Sequence, residues 1–312
     1  MASPAGLSGY LGFKKEETWG TAVVPDIFHE GFTGGGFAVE QDRIPSMGLR
    51  AGRRVVSVRK AGPRTVSGTV NLELWSEPLV GLLEQMFGKV VTSGTGPYTH
   101  VATPDGLSGK SLTVQIVKPD SGGNLHAFDY AGSKVGAWTL DCSVGELAAL
   151  QLEMSAQDEV VGTAATASYG TGSPFVFTEG SVKVADVAVA TVTSLSLTGS
   201  NELRTDGHRI GSALIREQLE NGMREYAGEL TTEFEGLTQY QRFLNANQVA
   251  LEVKFDNGVD SLTVVANIMF DGSTPELSGP ELLELSLPFT CMSATSDAAA
   301  ITATLVNGEA SA

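Results

Sequence analysis

The sequence has little of what catalytic, secreted and membrane proteins depend on. Its 312 residues include two cysteines, Cys142 and Cys291, and four histidines. Two cysteines cannot build a disulfide framework or a four-cysteine zinc site, so we expect both to be reduced, packed thiols. No apolar run approaches the ~18 residues of a membrane span, and the start lacks a signal-peptide pattern. We therefore expect a soluble protein that is not exported by the signal-peptide route.

Recognisable motifs for catalysis and ligand binding are also missing. Residues 106–113, GLSGKSLT, resemble a phosphate-binding loop, but Pro104 stands where the first glycine of that motif belongs, and a strand pattern follows it. The glycines of residues 31–37 lack the dinucleotide-binding spacing. There is no G-x-S-x-G motif, and the histidines have no H-x-x-x-H spacing. The sequence therefore predicts no catalytic residue, no cofactor and no metal site.

Basic residues are scarce and unevenly placed. The formal charge is −16, from 20 Lys and Arg against 36 Asp and Glu, so the body should repel nucleic acid. Seven cations nevertheless follow one another without an acid among them: Arg43, Arg50, Arg53, Arg54, Arg59, Lys60 and Arg64. This segment predicts a basic arm. The arm could be a solvated loop, dock on an acidic neighbouring molecule, or contact a phosphate backbone.

One stretch of sequence occurs twice in similar form. Residues 62–74, GPRTVSGTVNLEL, lie over residues 222–234, GMREYAGELTTEF, without a gap, and two glycines, an arginine and a glutamate coincide. In the first copy Val70, Leu72 and Leu74 alternate with polar residues, which predicts a half-buried strand. Repeats of this kind are the signature of a duplicated structural unit.

Each repeated strand is followed by a helix pattern. In the first copy we expect Ser76 to cap a helix that Gly88 ends. Its buried face should comprise Leu79, Leu82, Leu83, Met86 and Phe87. In the second copy we expect Thr238 as the cap and a buried face of Tyr240, Phe243 and Leu244.

Later elements also recur in order. The strand pattern SLTV begins at Ser111 and again at Ser261, and residues 145–154 lie over residues 280–289. Small residues dominate residues 162–174, which is typical of a linker. The many glycines and the Asp-Gly and Asn-Gly pairs favour short strands joined by turns. The sequence thus predicts a mainly β protein with two units, residues 1–161 and 175–312, each with one flanking helix.

The chain resembles phage tail tube proteins, also called major tail proteins. The resemblance covers nearly the whole length and lies in these segments: 12–25 (GFKKEETWGTAVVP), 42–55 (DRIPSMGLRAGRRV), 63–74, 96–120, 144–159, 219–235 and 271–289. It implies two tandem tube domains of the β-sandwich or barrel type, each with an extended arm. It also implies a structural virion protein, made in the bacterial host cytoplasm. Such a protein polymerises into stacked rings that form the tail tube, through which the genome enters the host cell.

The resemblance also implies partners and roles for particular residues. With two domains per chain we expect a homotrimeric, pseudo-hexameric ring, the alternative being a homohexamer; other tail proteins would bind the tube ends, and no membrane is involved. Lumen-lining acids, past which DNA moves without specific binding, would be Glu73, Glu229, Glu233, Glu153 and Glu284. These glutamates could instead lie on an outer solvated face. The alternative functions are a β-sandwich module that binds a receptor or carbohydrate, or a β-sandwich glycosidase or lyase.

Overall fold

The computed structural model describes residues 6–272, 274, 283–293 and 295–310, which form eighteen strands and three helices. The first ten strands are β1 (Tyr10–Lys15), β2 (Ile27–His29), β3 (Phe32–Pro45), β4 (Arg59–Glu73), β5 (Gly88–Ser93), β6 (Tyr98–Pro104), β7 (Leu112–Pro119), β8 (Leu125–Ser143), β9 (Ala149–Ala156) and β10 (Asp158–Gly162). The other eight are β11 (Gly180–Val184), β12 (Val187–Ala188), β13 (Val192–Ser200), β14 (Glu225–Glu233), β15 (Gln248–Asp256), β16 (Ser261–Phe270), β17 (Glu284–Cys291) and β18 (Ile301–Asn307). The helices are α1 (Val80–Phe87), α2 (Thr238–Leu244) and α3 (Asp297–Ala300). The chain is mainly β, as predicted, and consistent with a β-sandwich.

Seven strands form one continuous antiparallel sheet, which we call the main sheet. Its order is β3–β4–β9–β8–β13–β14–β17, so it runs from the first half of the chain into the second through the β8–β13 pair. Strand β8 belongs to two layers, because residues 125–133 pair with β7 and β10 while residues 134–143 pair with β9 and β13. Gly132, with φ of +65°, lies where the strand changes layers.

Two smaller groups of strands share an apolar core with the main sheet. The first group runs β2–β1–β7–β8–β10, and the second runs β12–β11–β15–β16–β18–β6–β5. Phe37 of β3 stacks on Tyr130 of β8 with ring centroids 4.2 Å apart, which ties the first group to the main sheet. Trp138 and Leu140 of β8 pack within the same continuous core as Leu262 of β16.

Strand pairings in the second half repeat those of the first. Gly68 of β4 lies opposite Met154 of β9, and Gly228 of β14 lies opposite Phe289 of β17. The pairs β1–β2, β1–β7, β7–β8 and β10–β8 correspond to β11–β12, β11–β15, β15–β16 and β18–β16. In these pairings β16 takes the place of β8. The predicted match between the two SLTV segments was therefore wrong, because the first, from Ser111, leads into β7 and the second, from Ser261, begins β16. A four-residue alternating match cannot distinguish the two strands of a hairpin.

The helix that follows β4 has the predicted core face, but the predicted cap is wrong. Seven of the eight residues of α1 are buried, and Gly88 ends it with φ of +104°. The N-cap is Leu79, three residues after the predicted one, and the hydroxyl of Ser76 donates to Asp260 Oδ2 at 2.6 Å.

Helix α2 departs further from its prediction. It exists where expected, but Leu237 rather than Thr238 precedes its first turn, and none of its residues is buried. The predicted apolar face of Tyr240, Phe243 and Leu244 therefore has no full cover within the described residues. Helical periodicity gives the direction of such a face but cannot tell whether its cover comes from the same chain.

The segment predicted as a linker and the two cysteines complete the fold. Residues 163–173 form no helix or strand, although the hydroxyl of Tyr10 donates to Ala165 O at 2.5 Å. Cys142 and Cys291 are free, half-buried thiols. Burial raises the pKa of the Cys291 thiol to about 12 and also raises that of Cys142, so both stay protonated at neutral pH.

Candidate assembly surfaces

One face of the main sheet carries only acidic and uncharged side chains over the seven segments given below, and we call this part the acidic face; the fully buried Lys134, opposite Ser155, lies just beside it. Along β4, Val70 and Leu72 point into the core while Thr69, Asn71 and Glu73 alternate onto this face. The same alternation places eight carboxylates on it: Glu40, Glu73, Asp141, Glu153, Glu225, Glu229, Glu233 and Glu284. The paired segments, residues 34–40, 65–73, 137–143, 149–155, 194–200, 225–233 and 284–290, contain no Lys, Arg or His.

The five glutamates singled out from the sequence all lie on the acidic face. The carboxylate of Glu73 accepts a hydrogen bond from Trp75 Nε1 at 3.0 Å, and that of Glu229 accepts one from the Ser286 hydroxyl. Glu233 lies directly opposite Glu284 in the β14–β17 ladder. Like charges directly opposite one another in a ladder are unfavourable, so this pair does not stabilise the sheet.

Three further carboxylates of this face were not found by sequence reasoning. Glu40, Asp141 and Glu225 sit on strands that alternate less clearly, or whose place in the sheet depends on the β8–β13 pairing. The alternation of residues 137–143, AWTLDCS, was the available signal for Asp141.

The ends of the main sheet are open among the described residues. Strand β3 pairs only with β4 there, so residues 34–40 have one edge without a strand partner. At the other end β17 pairs with β14 along its length, whereas its second neighbour, β16, reaches only residues 289–291. Unpaired edges are sites at which another strand can add.

The predicted basic arm, residues 43–64, projects beyond the sheet. Strands β3 and β4 continue as a two-stranded ribbon to Pro45 and Arg59, and residues 46–58 close it in an almost fully exposed loop. Arg64 lies at the root of the arm, where it forms an ion pair with Asp158 and its N–H donates to Ala213 O at 2.8 Å. The remaining arm cations form no ion pair among the described residues: Arg43, Arg50, Arg53, Arg54, Arg59 and Lys60.

The corresponding segment of the second half, residues 203–224, folds back onto the first half, and we call it the latched arm. The carboxylate of Glu217 accepts hydrogen bonds from Lys134 Nζ at 2.8 Å and from the N–H of Gly109 at 2.5 Å. Glu220 accepts one from the N–H of Leu107 at 2.9 Å. The loop that resembles a phosphate-binding loop thus binds two carboxylates of its own chain.

The electrostatics of this latch follow from burial. The Lys134 side chain is 0% exposed, and burial lowers its pKa although Glu217 opposes the shift. Partial burial tends to raise the pKa of Glu217, but hydrogen bonds from Lys134 and Gly109 outweigh it and hold that pKa below its ordinary value. Lys134 also donates to the carbonyls of Leu107 and Gln218, so all its polar contacts are internal.

Residues 6–291 match the family model of phage tail tube proteins. The chain belongs to the phage tail tube protein family. A search of curated proteins finds no match. Members of this family are structural proteins rather than enzymes, and membership implies that the chain is located in the virion tail.

Membrane spans and metal sites are two other features to consider in the described residues. No helix among them is both long and apolar enough to cross a membrane. No group of three or more His, Cys, Asp or Glu side chains within that part of the chain converges as a set of metal ligands.

Proposed function

We propose that this chain polymerises into closed rings that stack into the tail tube, with other tail proteins at the tube ends, and that the tube conducts the genome into the host cell. The observation that carries the proposal is the acidic face: eight carboxylates and no cation, on a sheet whose edge strand β3 has no outer partner among the described residues. A sheet closed into a ring removes such edges and encloses one face.

The chain consists, in this proposal, of two tube domains, residues 1–161 and 175–312, joined by residues 162–174. Its support is that the strand pairings of the first half recur in the second with the same register at Gly68 and Gly228. The β5–β6 hairpin is an addition to the first domain, and it pairs with β18 of the second.

The β8–β13 ladder inside the chain supplies the pattern for contacts between chains. Residues 194–200 of β13 pair with residues 137–143 of β8, which joins the second domain to the first. Residues 34–40 of β3 hold the position in the first domain that residues 194–200 hold in the second. In the ring, β3 of each chain therefore lies beside the β16–β17 end of the chain before it.

Strand geometry favours three chains per ring over two or six. With β16 in the place of β8, each chain contributes eight strands to the ring. At ~4.8 Å between strands, three chains contribute about 24 strands, with a circumference of ~115 Å and a backbone diameter of ~37 Å that strand tilt widens further. Two chains would give a diameter of ~24 Å, which side chains would largely fill, and six chains ~73 Å. A homotrimer with six domain positions therefore gives a channel on the scale of a DNA duplex.

The acidic face lines the channel in this proposal rather than the outer surface. Phosphates that pass a cation-free wall find no group to bind, so DNA slides without specific contacts. Replacing Glu73 and Glu233 with Lys should leave tubes able to form but slow DNA ejection, most strongly at low salt where screening is weak. Ejection at the wild-type rate from such particles would place these residues on the outer, solvated side.

The basic arm works between subunits in this proposal. Its loop is exposed, and Arg50, Arg53 and Arg54 have no acidic partner within the described part of their own chain. An acidic neighbouring chain offers such partners, and several weak ion pairs together set orientation and association rate.

Electron microscopy of the purified protein, combined with the mass of isolated rings, tests the whole proposal. We expect rings or tubes, with three chains per ring. Six chains per ring would contradict the two-domain interpretation and leave a homohexamer. A protein that stays monomeric at all concentrations would contradict assembly itself and favour a binding module of the virion.

A further inference from the structure

We propose that helix α2 of one chain packs against β10 and the adjoining part of β8 in the next chain; this inference rests on the ring proposed above. The two surfaces lie in opposite halves of the chain. Helix α2 follows β14, near the β17 end of the main sheet, and β10 belongs to the half that carries β3. A contact between them joins chains head to tail, which is the geometry that a closed ring requires.

The seam between the two halves of one chain supplies the template. There α1 of the first half borders a small apolar cavity together with Trp138 and Leu140 of its own half. The second half closes the same cavity with Leu262, Val264 and Ala303, which belong to β16 and β18. Helix α1 is buried because the following unit covers it.

Helix α2 occupies the same place after β14 that α1 occupies after β4, but it lacks this cover among the described residues. Leu237, just before the helix, is 56% exposed, and Leu244 at its end is 59% exposed. Between them the rings of Tyr240 and Phe243 lie 6.0 Å apart and are only partly buried. The helix therefore presents a short apolar strip to solvent.

The second bare surface is the counterpart of the strands that cover α1. Strand β10 pairs with β8 as β18 pairs with β16. In β18, Ala303 and Leu305 are at most 1% exposed, whereas Val160 and Val161 of β10 are 53% and 64% exposed. Val161 lies opposite Phe128 of β8, which is partly buried. The outer edge of β10 has no strand partner within the described residues, while that of β18 pairs with β6.

The seam within the chain favours a second copy as the occupant. Strands β16 and β18 cover α1 there, and their counterparts in the next chain are β8 and β10. Every chain also carries both surfaces in equal number.

Cross-linking between chains tests the contact directly. Leu244→Cys and Val161→Cys are combined in a Cys142→Ala, Cys291→Ala background, assembled, and treated with a short bismaleimide. We expect covalent dimers and trimers on a denaturing gel. The matched control replaces Leu244→Cys with Val259→Cys, because Val259 is 82% exposed on the turn between β15 and β16, away from both surfaces. The control should stay mainly monomeric.

The outcomes separate this inference from the ring itself. Tubes seen by electron microscopy that give no more cross-linking than the control would overturn the α2–β10 contact and leave the ring standing. A parent protein that never assembles would overturn both. Independently of cysteine chemistry, Leu244→Asp should raise the protein concentration needed for assembly at least tenfold at an unchanged Tm, and Val259→Asp should not. Assembly of Leu244→Asp at the wild-type concentration would also overturn the contact.

Discussion

The two arms of this chain occupy corresponding positions but differ in charge, since the basic arm has only cations and the latched arm has both signs. In the latched arm Glu217 and Glu220 bind a buried lysine and backbone N–H groups of the first half. The basic arm has Lys60 where the latched arm has Glu220, and its exposed apolar residues include Met47 (80%) and Leu49 (101%). The comparison teaches that similar arms can make different contacts: the latched arm completes its contacts within the chain, and in the proposed ring the basic arm makes its contacts with a neighbouring chain.

Removing the carboxylate of Glu217 should give the largest effect. Glu217→Ala leaves Lys134 buried without its counter-charge, and loss of one partner of a buried pair costs about 3–5 kcal/mol, toward the lower end here because Glu217 is 27% exposed. Chemical denaturation of the unassembled protein measures this. Lys134→Met with Glu217→Ala should recover most of the loss, because no charge then remains buried. Equal losses in the single and double variants would show that the ion pair does not hold the arm.

Neutralising the basic arm should impair assembly and spare the fold. In the variant that combines Arg50→Ser, Arg53→Ser and Arg54→Ser, three exposed pairs worth ~0.2–1 kcal/mol each are lost, which raises the assembly concentration roughly 3- to 150-fold. Sedimentation and electron microscopy measure assembly, and the Tm checks the monomer.

The latched arm provides the matched control for that variant. Arg204 and Arg216 are cations of the second arm, and Arg204 is satisfied by Asp206 in its own chain at 2.6 Å. Arg204→Ser with Arg216→Ser should assemble at the wild-type concentration. If both sets of variants lose assembly equally, net charge rather than the basic arm is responsible.

Much of the fold could be predicted from the sequence, because local patterns determine local elements. Alternation gave the strand that contains Val70 and Leu72, and helical spacing gave the core face of α1. The parallel prediction for the face of α2 was wrong about burial, since its cover is not supplied within the described residues.

The latch could not be predicted in this way. Lys134 and Glu217 are separated by 83 residues, and no local pattern joins them. The face on which each of the five lumen candidates lies could be predicted, because side chains alternate along each strand. The strand order that brings these residues together with Asp141 could not, because it depends on the long-range β8–β13 pairing.

The smallest expected effect is a difference between the two arms in how the Tm responds to pH. Because the pKa values of Glu217 and Glu220 are lowered in the folded protein, their contribution to stability is complete above the ordinary carboxyl range and is lost as the pH falls through the lowered values. The difference in Tm between the wild type and Glu217→Gln should therefore be constant near neutral pH and shrink below about pH 4. The triple Ser variant changes no carboxylate of the latched arm, so the Tm difference between it and the wild type should not change in the same way. A Tm difference for Glu217→Gln that persists undiminished at low pH would mean that shape rather than charge holds the latched arm, and the contrast between the arms would then lie in packing alone.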